Sequence, residues 1–337
     1  MAEARATLGR FKAGLARLLE SAGVLARQRR RRAVLGQVPV LALHRVCGSD
    51  EARLPQAIPP GDLERLVAEA ARRYRVASWT ECERASRRRD PRPHLAMTFD
   101  DGYRDGAETA WPILRRHGAT AVFCLATAFV DGGEPLWWEV VAAALRAPGA
   151  PFPRDRAGEA TYGPLAEAEI GRLKGLPRAE MRHAVAALAA RAPSASLSAP
   201  MSWADAERLA AEGAELAAHG ATHAILTRCD DGDLAAELAG ARAVLEKRLG
   251  REVSLLAYPN GDHDPRVAAA ACRAGFRFAF ATRQGYYGPG SARLAVPRIT
   301  VRAAMYRDGR GFCWPLFEAE MLGLFDRLLL RRIRMRR

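Results

Sequence analysis

Seven apolar runs of five to seven residues, at 38–43, 95–99, 120–126, 214–218, 253–258, 277–281 and 294–299, most constrain what this chain can become. Each has the length and composition of a buried strand. Helix-patterned segments separate several of them. Ser202 caps a helix that begins Trp203-Ala204-Asp205, where Asp205 closes a capping box and Gly213 lies past the end. Residues 231–249 form a second, ended by Gly250. Asp264-Pro265 opens a third, with Gly275 beyond its last turn. Strands alternating with helices predict an α/β fold built on a parallel sheet or barrel. At 337 residues the chain is long enough for one large domain or two smaller ones.

The polar residues fall where such a fold would use them. His44 follows the first run, Asp100 and Asp101 end the second, and His219 follows the fourth. Tyr258-Pro259-Asn260-Gly261 ends the fifth, Thr282-Arg283 the sixth, and Arg298 the seventh. These are carboxyl ends of strands, the face on which α/β barrels assemble active sites. Side chains at a strand end alternate in direction. One carboxylate of the Asp pair can therefore hold a metal while the other faces a reacting water. His219 and His223, four residues apart, are expected on one side of a helical turn. Two imidazoles and a carboxylate bind zinc with a position left for water, and water so bound is acidic enough to act near neutral pH. The residues thus point to a metal-dependent hydrolase. Plainer roles stand beside these. The Asp pair can make a turn and helix cap, His44 can be a satisfied core histidine, and Arg298 can be a structural ion-pair partner. Trp137 and Trp138 can pack a lid or stack on a sugar.

Residues 131–200, rich in Ala, Pro and Arg, break the rhythm and read as a helical insertion. The formal net charge is +14, of which residues 1–37 carry +7 and residues 317–337 carry +3. Residues 7–26 read as one amphipathic helix with Leu8, Phe11, Leu15, Leu18, Leu19, Ala22 and Leu25 on a face. At the other end Met321, Leu322, Leu324, Phe325, Leu328, Leu329 and Ile333 are interleaved with arginines. The organisation expected is a basic extension at 1–37, a barrel at 38–305 and a second basic extension at 306–337. Basic amphipathic ends suit an anionic membrane surface. Charge held at the ends, with no nucleic-acid module, argues against a nucleic-acid partner. Six scattered cysteines with no C-x-x-C pair, no apolar leader in the first thirty residues and no membrane-length span predict a cytoplasmic protein, peripheral on the inner membrane face.

Thr98-Phe99-Asp100-Asp101-Gly102 and His219-Gly220-Ala221-Thr222-His223 resemble the first and second motifs of the polysaccharide deacetylases, carbohydrate esterase family 4 with its NodB-homology domain. The resemblance covers about 38–300. It implies a distorted (β/α)7 TIM-like barrel and removal of an N-acetyl group from an amino sugar. Asp101, His219 and His223 would hold a divalent metal, zinc first, with cobalt, nickel, manganese or iron as alternatives. Asp100 would be the general base. Ala257-Tyr258-Pro259-Asn260-Gly261 stands where the family usually reads Arg-Pro-Pro-Tyr-Gly, and the Asn260 amide would help hold the oxyanion. Ala257 replaces the arginine that buttresses the base, with Arg298 the candidate substitute. Leu41-Ala42-Leu43-His44-Arg45-Val46 resembles the opening strand of the circularly permuted branch, so His44 would be the general acid. The implied partner is an N-acetylated amino sugar in a polysaccharide, oligosaccharide or lipid-linked glycan. A deformylase or deacylase of a lipid-linked sugar and a non-catalytic carbohydrate-binding barrel are the alternatives.

Overall fold

The computed structural model describes residues 2–48, 57–132, 135–146, 164–190 and 198–325. Its centre is a curled parallel sheet. The strands are β1 (Val38–Leu43), β2 (His94–Phe99), β3 (Val122–Leu125), β4 (Glu215–Ala218), β5 (Leu255–Ala257), β6 (Phe278–Phe280) and β7 (Ile299–Thr300). They pair in the order β1-β2-β3-β4-β5-β6, all parallel, and β7 pairs with β1. Val296 bridges Phe280 of β6 just before β7. The segment 296–300 thus spans from the last strand back to the first and completes a distorted seven-stranded α/β barrel.

Six of the seven strands lie within the expected runs or overrun them by one residue. The seventh is displaced. Residues 293–295 form a 3-10 turn, and the strand is Ile299–Thr300, so Arg298 precedes this strand instead of ending it as expected. Pro297 is the reason: it cannot donate a ladder hydrogen bond, so regular pairing starts after it. Strands buried on both faces read as near-continuous apolar runs, and β1 and β2 are buried throughout, with His94 and Thr98 the polar members of β2. Inward-pointing Val38, Val40, Ala96, Val122, Cys124, Ala217, Leu255, Ala257, Phe278 and Phe280 form one cluster. Trp79 closes it from the amino end, meeting Phe278, Phe280 and Tyr287 edge-on. The same period of two carries the inward register from Ala96 to Thr98 and Asp100, and from Ala217 to His219. The barrel axis is therefore apolar below and charged at its carboxyl end.

The flanking helices are α1 (Ala2–Ser21), α2 (Val24–Val34), α3 (Pro60–Arg73), α4 (Trp79–Arg88), α5 (Trp111–Arg116), α6 (Trp137–Arg146), α7 (Pro164–Lys174), α8 (Arg178–Ala189), α9 (Trp203–Ala211), α10 (Asp231–Ala235), α11 (Ala241–Leu249), α12 (Pro265–Arg273) and α13 (Trp314–Met321). The Ser202–Asp205 capping box forms as expected. The helix expected over 231–249 contains a π-helical turn at Ala236–Gly240, between α10 and α11. Helices α6, α7 and α8 are the described part of the insertion and pack on one another through Trp137, Val141, Leu145, Leu173 and Met181.

The single amphipathic helix expected over 7–26 is instead two, because Gly23 adopts a left-handed conformation (φ 71°) between α1 and α2. Its apolar face is divided. Ala13, Ala16 and Leu25 pack against Leu316, Ala319, Leu322 and Phe325. Met321, Leu322 and Phe325 are thus buried, and Leu328, Leu329 and Ile333 lie outside the described residues. Leu8, Phe11 and Leu18 remain 52%, 66% and 66% exposed. Among the described residues no helix is long and apolar enough to cross a membrane.

Glu318 of α13 is buried and binds Arg29 of α2, the Tyr74 hydroxyl and the Trp314 indole. Removing one member of a buried ionic cluster costs about 3–5 kcal/mol. Because Arg29 keeps some solvent contact, Glu318→Ala should lower the unfolding free energy by about 3 kcal/mol. A urea titration with an unchanged midpoint would show that this cluster does not anchor α2.

Candidate active site

The sequence-predicted residues converge at the carboxyl end of the barrel. A cleft of about 530 Å³ is lined by His44, Asp100, Asp101, Trp137, Trp138, His219, His223, Tyr258, Asn260 and Arg298, among others. Of the site residues expected from sequence, only Pro259 is missing from this lining, and it lies buried in the turn that presents Asn260.

Strand β2 ends at Phe99, and the chain turns through Asp101 (φ 80°) and Gly102 (φ 94°). This turn aims the two carboxylates differently. Asp101 Oδ1 lies 3.4 Å from His219 Nε2 and 3.3 Å from His223 Nε2. All three residues are buried, and one ligand atom from each falls within 4.8 Å of the others. Asp101 Oδ1 has no hydrogen-bond partner among the described residues. Two ligand atoms about 2.1 Å from a tetrahedral ion lie about 3.4 Å apart, so the donor set fits a divalent cation. His219 Nδ1 is 2.8 Å from the Ala257 carbonyl, which can only accept. That fixes Nδ1 as protonated and leaves Nε2 free to ligate.

The His219–His223 segment is not the helical turn expected from its spacing. Gly220 (φ 72°) and His223 (φ 56°) are left-handed, and the segment is a loop. Glu237 holds it, accepting from the Ala221 and Thr222 amides and the Thr222 hydroxyl. The two rings still meet, with centroids 4.6 Å apart.

Asp100 is anchored by Arg298, whose Nη1 donates to Asp100 Oδ1 at 2.8 Å and to Thr98 Oγ1 at 2.9 Å. Arg298 Nε donates to the Ala281 carbonyl, and the side chain is fully buried. Asp100 Oδ2 is left facing His44 Nε2 at 4.0 Å and His219 Nε2 at 3.9 Å. Burial alone would raise the Asp100 pKa; Arg298, His219 and His44 outweigh it and hold the carboxyl at about 2. Burial likewise opposes the Asp101 charge, and the adjacent His219 and His223 imidazoles carry its pKa well below the usual carboxylate range. Burial lowers the His44 pKa, with Asp101 and Asp100 opposing, and raises that of Cys124, which is core as expected.

The insertion roofs the cleft. Trp138 meets the His223 ring at 4.3 Å and donates through Nε1 to the Tyr103 hydroxyl. Trp137 packs edge-on against Trp138. Lys174 reaches across to the Asn260 side chain at 2.5 Å. Asn260 is itself left-handed (φ 58°), and Tyr258 is tied by its hydroxyl to the Leu294 carbonyl.

A family model described as polysaccharide deacetylase matches residues 87–279. The chain belongs to the polysaccharide deacetylase family. As a deacetylase it is a hydrolase of carbon–nitrogen bonds, and the family's reaction is the de-N-acetylation of a polysaccharide. Its fold is similar to that of the Streptococcus pyogenes deacetylase PplD, solved in complex with acetate. The two are 16% identical with a TM-score of 0.59, over 85% of this chain and 98% of that one. IcaB from Ammonifex degensii is 18% identical with a TM-score of 0.54, over 85% and 97%. No curated protein matches the chain.

Sequence reasoning missed several residues of this deacetylase cleft. Arg45 binds Asp105 and Ser198 and lies over the Tyr103 ring, while Tyr103 donates to buried Glu139 of the insertion. Arg45 had a signal, since it directly follows His44. Lys174 and Glu237 had none, because they lie on helices remote in sequence.

Arg298 is the most exposed to test by substitution, since Asp100 depends on it. Arg298→Met leaves a buried carboxylate without its cation and should cost about 3 kcal/mol in urea denaturation. Arg298→Lys keeps the charge but cannot reach Ala281, Thr98 and Asp100 together, and should lose less. Equal stability of all three proteins would contradict the pairing.

Proposed function

We propose that this chain removes an N-acetyl group from an amino sugar of a glycan, with a divalent metal held by Asp101, His219 and His223. The observation that carries the reading is the orphaned Asp101 oxygen flanked by two ring nitrogens at 3.3 and 3.4 Å. Zinc suits two imidazoles and a carboxylate best; cobalt, nickel, manganese or iron would also fit. When bound, such a cation supplies an acidified water and a polarised amide carbonyl.

The chain's own groups do the rest. Arg298 fixes Asp100 with one oxygen turned toward the cleft, where it takes the proton of the attacking water. Water oxygen bonds to the acetamide carbon. The Asn260 amide, in the turn formed by Tyr258, Pro259 and Asn260, stabilises the charge that develops on the carbonyl oxygen. The carbon–nitrogen bond then breaks, and His44 gives a proton to the departing amine. Acetate and the free amino sugar result. Trp137 and Trp138 form an apolar wall against which the sugar ring rests. The absent motif arginine does not leave the base without a guanidinium, since Arg298 reaches it from the residue just before the seventh strand.

Asp100→Asn should retain the metal, measured by elemental analysis, and lose at least about a hundredfold in acetate release from N-acetylated oligosaccharides. His223→Ala should lose the metal itself. Normal turnover by the Asp100 variant would sink the assignment of the base.

A second observation bears on where the substrate is met. Exposed Leu8, Phe11 and Leu18 share one side of α1, and Arg10, Arg30 and Arg31 have no carboxylate partner among the described residues. We propose that this side lies on an anionic membrane surface. The chain carrying Glu at positions 8, 11 and 18 should no longer float with vesicles of mixed neutral and anionic lipid, whereas the unaltered chain should. Undiminished flotation, or none by either protein, would count against attachment.

A further inference from the structure

We propose that Glu237 is a positioning residue for the cation site, and that Arg178 of α8 extends its reach into the insertion. The inference rests on the reading of Asp101, His219 and His223 as ligands.

The His219–His223 loop is itself neither helix nor strand: the Thr127 and Ala128 amides donate to its Gly220 and Ala221 carbonyls, which leaves its own Ala221 and Thr222 amides to find acceptors elsewhere. Left-handed Gly220 and His223 turn it so that the Ala221 and Thr222 amides point to the same place. Glu237 occupies that place. Its Oε2 accepts those amides at 2.8 and 3.0 Å, and its Oε1 accepts the Thr222 hydroxyl at 2.6 Å and Arg178 Nη2 at 2.8 Å. Four donors saturate a carboxylate that is 1% exposed. The fit is close: a Cβ at Gly220 would stand 2.8 Å from Glu237 Oε2. Glu237 reaches the loop from the π-helical turn at Ala236–Gly240, a local widening of the helix that re-aims side chains.

The two ligand histidines depend on Glu237 unequally. The Ala257 carbonyl orients His219 independently. His223 Nδ1 has no hydrogen-bond partner among the described residues, so its ring is set by its own backbone, by Asp101 at Nε2 and by the neighbouring rings of His219 and Trp138. The backbone is what Glu237 holds. Arg178 also contacts Thr222 Oγ1 at 3.4 Å, so α8 grips both the loop and its clamp. Groups that orient metal ligands typically change metal affinity 10- to 100-fold when removed.

The test is cobalt and zinc titration of the full-length apoprotein against a competing chelator, with the visible spectrum of the cobalt form and the melting of each apoprotein recorded. Glu237→Gln presents an amide N–H₂ to Arg178 or to the loop donors. It should weaken binding about 10- to 100-fold and alter the cobalt bands. Arg178→Met removes only the outer arm and should weaken binding severalfold, and Arg178→Lys should recover most of the loss. Should Glu237→Gln fail to fold, the Arg178 pair decides. Wild-type affinity and spectrum in Glu237→Gln, or a lowered apoprotein melting temperature with affinity unchanged, would overturn the inference while leaving the ligand assignment standing. Failure of the unaltered chain to bind either metal would overturn both.

Discussion

The pairing of Arg298 with Asp100 at the mouth of the barrel is what allows the rest of the site to exist. Two adjacent carboxylates, 3% and 2% exposed, sit above an apolar barrel axis. Ionised groups so placed would protonate or draw in water unless each had its own partner. Asp100 has the Arg298 guanidinium; Asp101 has the two imidazoles. The division of partners gives adjacent residues different chemistry. Backbone strain follows the same division. Of the four left-handed non-glycine residues among those described, Asp101, His223 and Asn260 are in the cleft and only Arg89 is elsewhere. Such conformations persist where surrounding contacts over-determine them. Here the contacts are Glu237 at the His223 loop and Lys174 at Asn260.

The insertion is bonded into the site rather than laid over it. Each of its helices donates a distinct anchor: Trp138 and Glu139 from α6, Lys174 from α7 and Arg178 from α8. Two of these touch groups that shape the His223 position. The described helices of the insertion therefore share contacts with the loop that carries His219 and His223.

What was legible in the sequence was whatever the chain writes locally. A strand is apolar because both its faces are buried, so its end and the charged residues there could be found without coordinates. The capping box at Ser202 and the glycine stops at Gly213, Gly250 and Gly275 were legible for the same reason. Spacing misled where glycine intervened. Four residues from His219 to His223 looked helical, but Gly220 permits a left-handed turn. The basic helix looked continuous, but Gly23 breaks it. Pro297 shifted the seventh strand. Long-range partners left no trace: nothing near Glu237 marks it as the clamp of a loop some fifteen residues earlier, and a π-helical turn has no sequence period of its own. The Ala257 substitution looked like a loss. It is a position whose carbonyl orients His219, which any side chain would supply.

The charge of the termini also has a geometric consequence. Much of it is spent inside the molecule: Lys12 on Glu320, Arg17 on Asp308, Arg29 on Glu318. Among the described residues, Arg10, Arg30 and Arg31 have no carboxylate partner, and the exposed large apolar side chains are Leu8, Phe11 and Leu18 of α1 with Val34 and Leu35. Leu35 precedes β1 by only three positions, so it lies at the amino end of the barrel, whereas the cleft opens at the carboxyl end. Six residues of strand separate the two ends, roughly 20 Å. A surface that engages Leu35 therefore stands well away from Asp100 and Asp101.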